Sequence, residues 1–400
     1  MSADECISAG DSATTGLLDG VTVLDLSSVG PASRASRMLA DYGALVVKIG
    51  PTTRKGTAQI QPPFHTYGAG RGMQRIRIDL KSDSGRRALL CLAATADVLI
   101  ESMRPGVAGR LGFGYDDVCS INPGIVYCST SGYGQCGPYA SWAGHDINYL
   151  ALGGFLDCCE ARVDGGPPIP GATVADSAGG GMQAVIAILA ALVKRGDGQH
   201  GQYLDVSATE GVLSLMSLSI DQYLATGEIA RPRETLLTGR YACYDLYRAR
   251  DGKWLSVGAI EPHFFANLCK ALGLSDLVEH QLDDTKQDEI RQRFRAAFAT
   301  RDRDAWVAEL APNNTCVAPV NSIPELVGDP HLRERRIFMK AEHADHGEFE
   351  QVGPVLAGGE RRQPKHTVRR QGDTDTDALL AAAGLDPGEI ASLRAEGAVE

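Results

Sequence analysis

The chain has 400 residues, 44% of them hydrophobic and 22% charged, with a formal net charge of −11. That length allows two domains with ample core, and the composition is that of a globular protein, not a disordered one. The acidic balance argues against general nucleic-acid binding, which depends on Lys and Arg neutralising phosphates, while leaving room for a local basic patch toward a phosphorylated ligand. Ten cysteines are scattered without CxxC pairs or Cys/His clusters at metal spacing, so no metal site is expected. Residues 1–15 are polar and match neither a secretory signal nor a transit peptide, so the thiols read as buried and free in a reducing, cytoplasmic compartment. The longest apolar helical run, residues 184–193, falls short of the ~20 residues that span a bilayer, and no membrane association is expected.

In chain order, residues 21–26 read as a buried strand. Ser27-Ser28-Val29-Gly30-Pro31 turns the chain into a helix ending at Tyr42-Gly43, and residues 44–49 form a second strand, which makes a right-handed parallel crossover. Residues 51–74, rich in Pro, Gly and Thr, read as a long loop, an element that is often functional in compact domains. Residues 75–80 alternate polar and apolar side chains as a half-buried strand does, and Ser82 or Ser84 caps the helix that follows. Strands at 97–101 and 125–128 complete the pattern of a doubly wound α/β sheet, whose ligands bind at the carboxyl ends of the strands. Asp176 directly precedes a long helix over residues 177–194, a strand covers 203–206, and a second long helix covers 209–225. Residues 228–240 read as a linker. Runs at 241–247 and 254–258 flank Asp251-Gly252, a hairpin signal. With helices at 262–272, 288–298 and 303–310 and a strand at 316–320, this makes a small α+β domain. Residues 342–370 carry few apolar side chains, and a final helix starts at Pro387. The predicted organisation is a large α/β domain over 17–227, a small domain over 228–340, and a C-terminal segment, 341–400, that returns to the large domain.

Gly144-His145-Asp146-Ile147-Asn148-Tyr149 sets an imidazole, which exchanges protons near neutral pH, beside a carboxylate. Adjacent helical side chains do not face each other. The partner of His145 therefore comes from elsewhere, and Asp146 is expected to cap the helix that begins near Ile147. The ordinary role of a lone histidine is a satisfied, partly buried side chain. Asp176 precedes Gly179-Gly180-Gly181 at a helix N-terminus, where negative charge is favoured. Three glycines cost helix stability that a plain cap does not require, whereas close approach of a ligand would. Glu261 stands where a strand ends and a helix starts, an ordinary place for an acid facing the helix dipole. Arg71, Lys81, Arg104 and Arg110 are individually solvated charges and jointly suit the phosphates of a nucleotide-like ligand, although no GxGxxG or P-loop pattern is present.

Together, the GHDINY stretch, the Asp176 segment, Gly258-Ala259-Ile260-Glu261-Pro262, Asp79-Leu80-Lys81 and Arg104-Pro105-Gly106 resemble the α-methylacyl-CoA racemases of the family III CoA-transferase superfamily, from Leu17 to about Phe338. The resemblance implies a homodimer of interlaced chains, each with a large Rossmann-like domain and a small α+β domain, with active sites between the large domain of one chain and the small domain of the other. It implies that His145 and Asp176 are the acid/base pair and that Glu261 orients the histidine. CoA contacts map onto Ile78, Asp79, Leu80 and Lys81, onto Ser102, Met103 and Arg104, onto Arg110, and onto Gly144, Asp146 and Tyr149, with Arg71 a further candidate. The substrate is then an acyl-CoA thioester and no separate cofactor is implied, because CoA is part of the substrate. The implied reaction interconverts (2R)- and (2S)-2-methylacyl-CoA through an enolate. The competing reaction is CoA transfer with Asp176 as nucleophile.

Overall fold

The structure, a computed structural model, describes residues 16–53, 62–196, 200–355 and 365–400. Six strands, β1 (Thr22–Asp25), β2 (Leu45–Gly50), β3 (Gln74–Arg77), β4 (Val98–Glu101), β5 (Val126–Ser131) and β6 (Gln202–Ser207), form one sheet in the order 3-2-1-4-5-6. Every pairing in it is parallel. Because side chains alternate across a strand, the sheet feeds two cores. Leu24, Leu99 and Tyr127 pack on one face with Leu89 and Phe113, and Val23, Val98, Ile100 and Val126 pack on the other with Leu39 and Ile188. Burial on both faces is why these strands read as continuous apolar runs.

The helices that follow these strands are α1 (Gly30–Asp41), α2 (Pro63–Ala69), α3 (Asp83–Ala93), α4 (Val107–Arg110), α5 (Tyr115–Ile121), α6 (Asp146–Leu152), α7 (Ala175–Arg195) and α8 (Ala208–Leu215). Of the two serines considered as the cap of α3, Ser82 serves, its Oγ accepting from Gly85 N at 3.0 Å. The loop expected over 51–74 contains α2, and its residues 54–61 lie outside the described residues. Seven residues with a single aromatic pair are too short to show a helical period. Helix α7 starts ahead of Asp176, not after it, with Ala175–Met182 wound as a π-helix and the remainder as an α-helix. At 21 residues it exceeds the apolar run read from the sequence, and by length and composition alone it is suited to cross a membrane. Its buried face, including Gly180, Ala184 and Ile188, packs against α1, α8 and the sheet and accounts for that apolar composition.

The chain divides into two compact units, one of Met1–Gly153, Pro170–Met216 and Pro330–Glu400, the other of Gly154–Ile169 and Ser217–Asp329. The single helix expected over 209–225 is broken at Met216, and α9 (Ser217–Thr226) belongs to the second unit. There β7 (Tyr244–Arg248), β8 (Trp254–Gly258) and β9 (Val317–Pro319) form an antiparallel sheet. Helices α10 (Pro262–Ala271), α11 (Gln287–Phe298) and α12 (Arg303–Leu310) accompany it, around a core that includes Tyr247, Phe265, Phe294, Phe298 and Trp306.

Within the first unit, a hairpin of β10 (Phe338–His343) with β11 (Gly347–Val352) extends into the stretch read as poor in apolar side chains, and β12 (His366–Thr367) pairs with β10. Rings and ion pairs hold it where aliphatic alternation does not. Tyr67 stacks on His343 at 4.8 Å, Phe64 meets Phe349 at 5.2 Å, and Arg333 pairs with Glu350 at 2.6 Å. After α13 (Thr376–Ala382) and α14 (Pro387–Ala395) the last residues lie beside β3, with Asp79 N donating to Ala398 O and Glu400 N to Arg77 O. Cys128, Cys243 and Cys269 are buried free thiols as expected, whereas Cys136 and Cys316 are exposed.

Candidate active site

The GHDINY stretch is a turn that ends in α6. Tyr149 hydroxyl donates to Gly144 O at 2.6 Å, and a Cβ on Gly144 would stand 2.7 Å from the Tyr133 hydroxyl. Only glycine fits under the two tyrosines, and His145 follows it immediately. His145 occupies the N-cap of α6 in extended conformation (φ −129°, ψ 176°), and its backbone N–H is satisfied by Asn148 Oδ1 at 3.0 Å. Its imidazole makes no capping bond to the helix and is exposed, which leaves the ring available to a ligand.

Asp176 lies half-buried in the first turn of α7. Its backbone N–H, one of the orphan donors of a helix start, is taken by Asp146 Oδ1 at 2.9 Å. Asp146 therefore does not cap its own helix. It is the first residue of α6 and caps α7, which ties the turn that presents His145 to the turn that presents Asp176. Burial, and after it the Asp146 charge, push the Asp176 carboxyl above the usual carboxylate range, while Arg34 and His145 pull it down. Asp146→Asn keeps the acceptor and removes the like charge, so Asp176 is expected to titrate lower. Asp146→Ala also removes the acceptor and is expected to cost about 1 kcal/mol, as other lost caps do. A titration of Asp176 with thermal melts of both variants checks the pair of outcomes.

The protein's own packing accounts for the three glycines of this segment. A Cβ on Gly179 would stand 2.8 Å from Ala208 O, one on Gly180 2.5 Å from Pro31 Cβ, and one on Gly181 2.7 Å from Arg34 Cβ. They let α8 cross α7 backbone to backbone and let the side chains of Pro31 and Arg34 on α1 close against it, and the wide π turn, a rare form frequent at functional sites, falls where Asp176 is displayed.

Glu261 belongs to the second unit and is the N-cap residue of α10. Its carbonyl accepts from Phe264 N and Phe265 N at 3.0 and 3.1 Å, while its carboxylate makes no capping bond and is exposed. The segment before it is fixed by the buried amide of Gln281, which donates to Ala259 O at 3.2 Å and Ile260 O at 2.6 Å. Burial and then the Glu261 charge push the Cys316 thiol up. Gly258 and Cys316 line a cleft of about 1280 Å³ in this unit, together with Arg233, Tyr244, Asp245 and Trp254.

The residues expected to bind CoA are distributed along the sheet. Lys81 follows β3, Ser102, Met103 and Arg104 follow β4, and Arg110 closes α4; of these only Met103 is shielded. Met103 N donates to the Glu101 carboxylate at 2.6 Å. In the sheet order β2 and β1 stand between β3 and β4, so the two basic ends are roughly 14 Å apart at the usual strand spacing. The reversal of strand order between β1 and β4 is where ligands of such sheets bind. Ile78 is buried and bridges to Val399, and Asp79 is nearly so; both serve the packing of the C-terminus. Arg71 is buried too, paired with Asp41 at 3.0 Å and donating to Val352 O at 2.9 Å, a structural role that a loop assignment did not reveal. Arg34 was not singled out from the sequence at all. Its partners lie 31 and 139 residues away, beyond the reach of any local pattern.

A profile of CoA-transferase family III matches residues 18–368. Alpha-methylacyl-CoA racemase of Homo sapiens is 35% identical over 331 residues, 82% of this chain and 84% of its own, and that of Mus musculus is 34% identical over 81% and 82%. Succinyl-CoA:glutarate CoA-transferase of Homo sapiens is 28% identical over 93% and 90%. Among solved structures, a CAIB/BAIF family protein from Brucella suis superposes with a TM-score of 0.75 at 24% identity, covering 93% of this chain and 100% of its own. The chain belongs to CoA-transferase family III.

Proposed function

We propose that the protein is a cytoplasmic homodimer that interconverts the 2R and 2S epimers of 2-methylacyl-CoA thioesters by moving one proton at carbon 2. The observation that carries this reading is the pairing of a free imidazole, His145, with a half-buried carboxyl, Asp176, through Asp146. Epimerisation removes a weakly acidic α-proton and returns one to the opposite face, which two groups on either side of the carbon accomplish, one protonated and one not. Neutral His145 takes the proton from one epimer while protonated Asp176 supplies the other face, and the roles reverse for the second epimer. A raised Asp176 carboxyl suits this exchange, because a carboxylate of ordinary acidity holds its proton too rarely near neutral pH. Backbone N–H donors meet the enolate oxygen as charge develops. Lys81, Arg104 and Arg110 face the phosphates of CoA, and Glu261 of the partner subunit orients His145.

The dimer is supported by apolar surface. Helix α9 buries none of its residues, leaving Leu218, Tyr223 and Leu224 more than half exposed, and on α7 Ile186 and Val193 are likewise open. Exposed apolar side chains of this kind suit an interface, and exposed free thiols suit a reducing compartment.

CoA transfer is the alternative, with the Asp176 carboxylate attacking the thioester carbonyl and CoA thiolate leaving. It is favoured by the similarity to the glutarate transferase. Hydroxylamine traps the acyl-enzyme such a reaction requires. Incubation with (2R)-2-methyldecanoyl-CoA, a free carboxylic acid and hydroxylamine is expected to leave Asp176 unmodified and no CoA transferred. A hydroxamate at Asp176 with acceptor-dependent transfer would overturn the racemase reading.

A further inference from the structure

Arg34 reaches from α1 toward the start of α7. Its Nη1 stands 2.9 Å from His65 Nε2 on α2, and its Nη2 donates to Thr173 Oγ1 at 3.2 Å. Guanidinium only donates, so His65 Nε2 is the acceptor and the imidazole is neutral with its proton on Nδ1. Burial and the Arg34 charge push His65 titration down, which preserves that state. Thr173 in turn accepts Ser177 N at its carbonyl, at 3.0 Å, so Arg34 grips the chain at the turn that displays Asp176. The Arg34 stem is itself immobilised against Gly181.

We propose that Arg34 is a positioning residue for Asp176: clamped by His65 and Thr173, its guanidinium holds the turn that displays Asp176 in the arrangement that proton transfer requires. The proposal rests on the acid/base reading of Asp176. The groups that act on Asp176 are Asp146 and His145 on and before α6 and Arg34 on α1, and the Tyr149 phenol faces it from α6. Glu210 on α8 and Asp205 on β6, the acids of the remaining neighbours, are not among them. Asp146 disfavours ionisation of Asp176, and His145 changes its own charge in every turnover. Arg34 acts in the opposite sense to Asp146 and takes no part in the proton transfer, so it is the counter-charge that keeps Asp176 able to serve as a base.

The test is a ¹³C NMR titration of the full chain labelled at aspartate Cγ, with the Asp176 signal identified by its loss in Asp176→Asn. In Arg34→Met the Asp176 midpoint is expected to rise, as loss of an opposite charge does. Arg34→Lys, which keeps the charge but not the fork, is expected to hold the midpoint near wild type while kcat falls. His65→Phe, which removes only the clamp, is expected to raise the midpoint by a smaller amount. An unmoved midpoint in Arg34→Met overturns the proposal; if that variant does not fold, an unmoved midpoint in His65→Phe does so. The titration needs no turnover, so if the variants show these shifts while the wild-type protein does not epimerise, the racemase reading is refuted and the hold of Arg34 on the Asp176 turn stands.

Discussion

His145→Ala is expected to abolish epimerisation in both directions, a loss of about a hundredfold to ten-thousandfold, the range that a positioned general acid or base supplies. Exchange of the α-proton with solvent should survive only for the epimer whose proton faces Asp176, because that base remains. Asp176→Asn should give the mirror result, exchange confined to the epimer facing His145. Neither change should unfold the protein. The His145 ring is exposed and makes no capping bond, and surface substitutions of that kind stay within about 0.5 kcal/mol. The asparagine keeps the backbone N–H that Asp146 accepts. Chiral separation of the acyl products with mass spectrometry of their deuterium content checks both variants. Loss of exchange from both epimers in one variant and from neither in the other would mean that one group does all the proton transfer.

Gly211→Ala is expected to cost roughly 3 kcal/mol, the upper end for overpacking, and to lower activity with it. A Cβ at Gly211 on α8 would overlap the carbonyl of Gly179 on α7. Backbone has no rotamer by which to yield, so α7 and α8 must separate and the Asp176 turn must move with them. Gly171→Ala is the control, since a Cβ there meets nothing within 4 Å, and it should change neither melting temperature nor rate. An unchanged melting temperature in Gly211→Ala would show that the crossing of α7 and α8 is looser than the structure has it.

The sheet was legible because its strands are buried on both faces and announce themselves as apolar runs; β1, β2, β4 and β5 are where those runs place them. The hairpin of β7 and β8 was legible from Asp251-Gly252, whose glycine adopts φ 82°. What escaped notice depends on distant partners. The hairpin of β10 and β11 rests on Tyr67 and Phe64, hundreds of residues earlier, and α2 is too short to carry a period. Among the candidate site residues, the motif drew attention to His145 and the glycine run to Asp176, but the reason for the glycines lies on Pro31, Arg34 and Ala208. Asp146 was assigned to the wrong helix for the same reason. A cap is recognised by sequence only when donor and acceptor are neighbours, and its donor is 30 residues away.

The most direct measurement is deuterium incorporation at carbon 2. The wild-type protein, given (2S)-2-methyldecanoyl-CoA in deuterated water with no carboxylic acid present, is expected to place deuterium at carbon 2 and to yield both epimers. Recovery of the same epimer without deuterium, by a protein that does transfer CoA once an acceptor is added, would contradict the account.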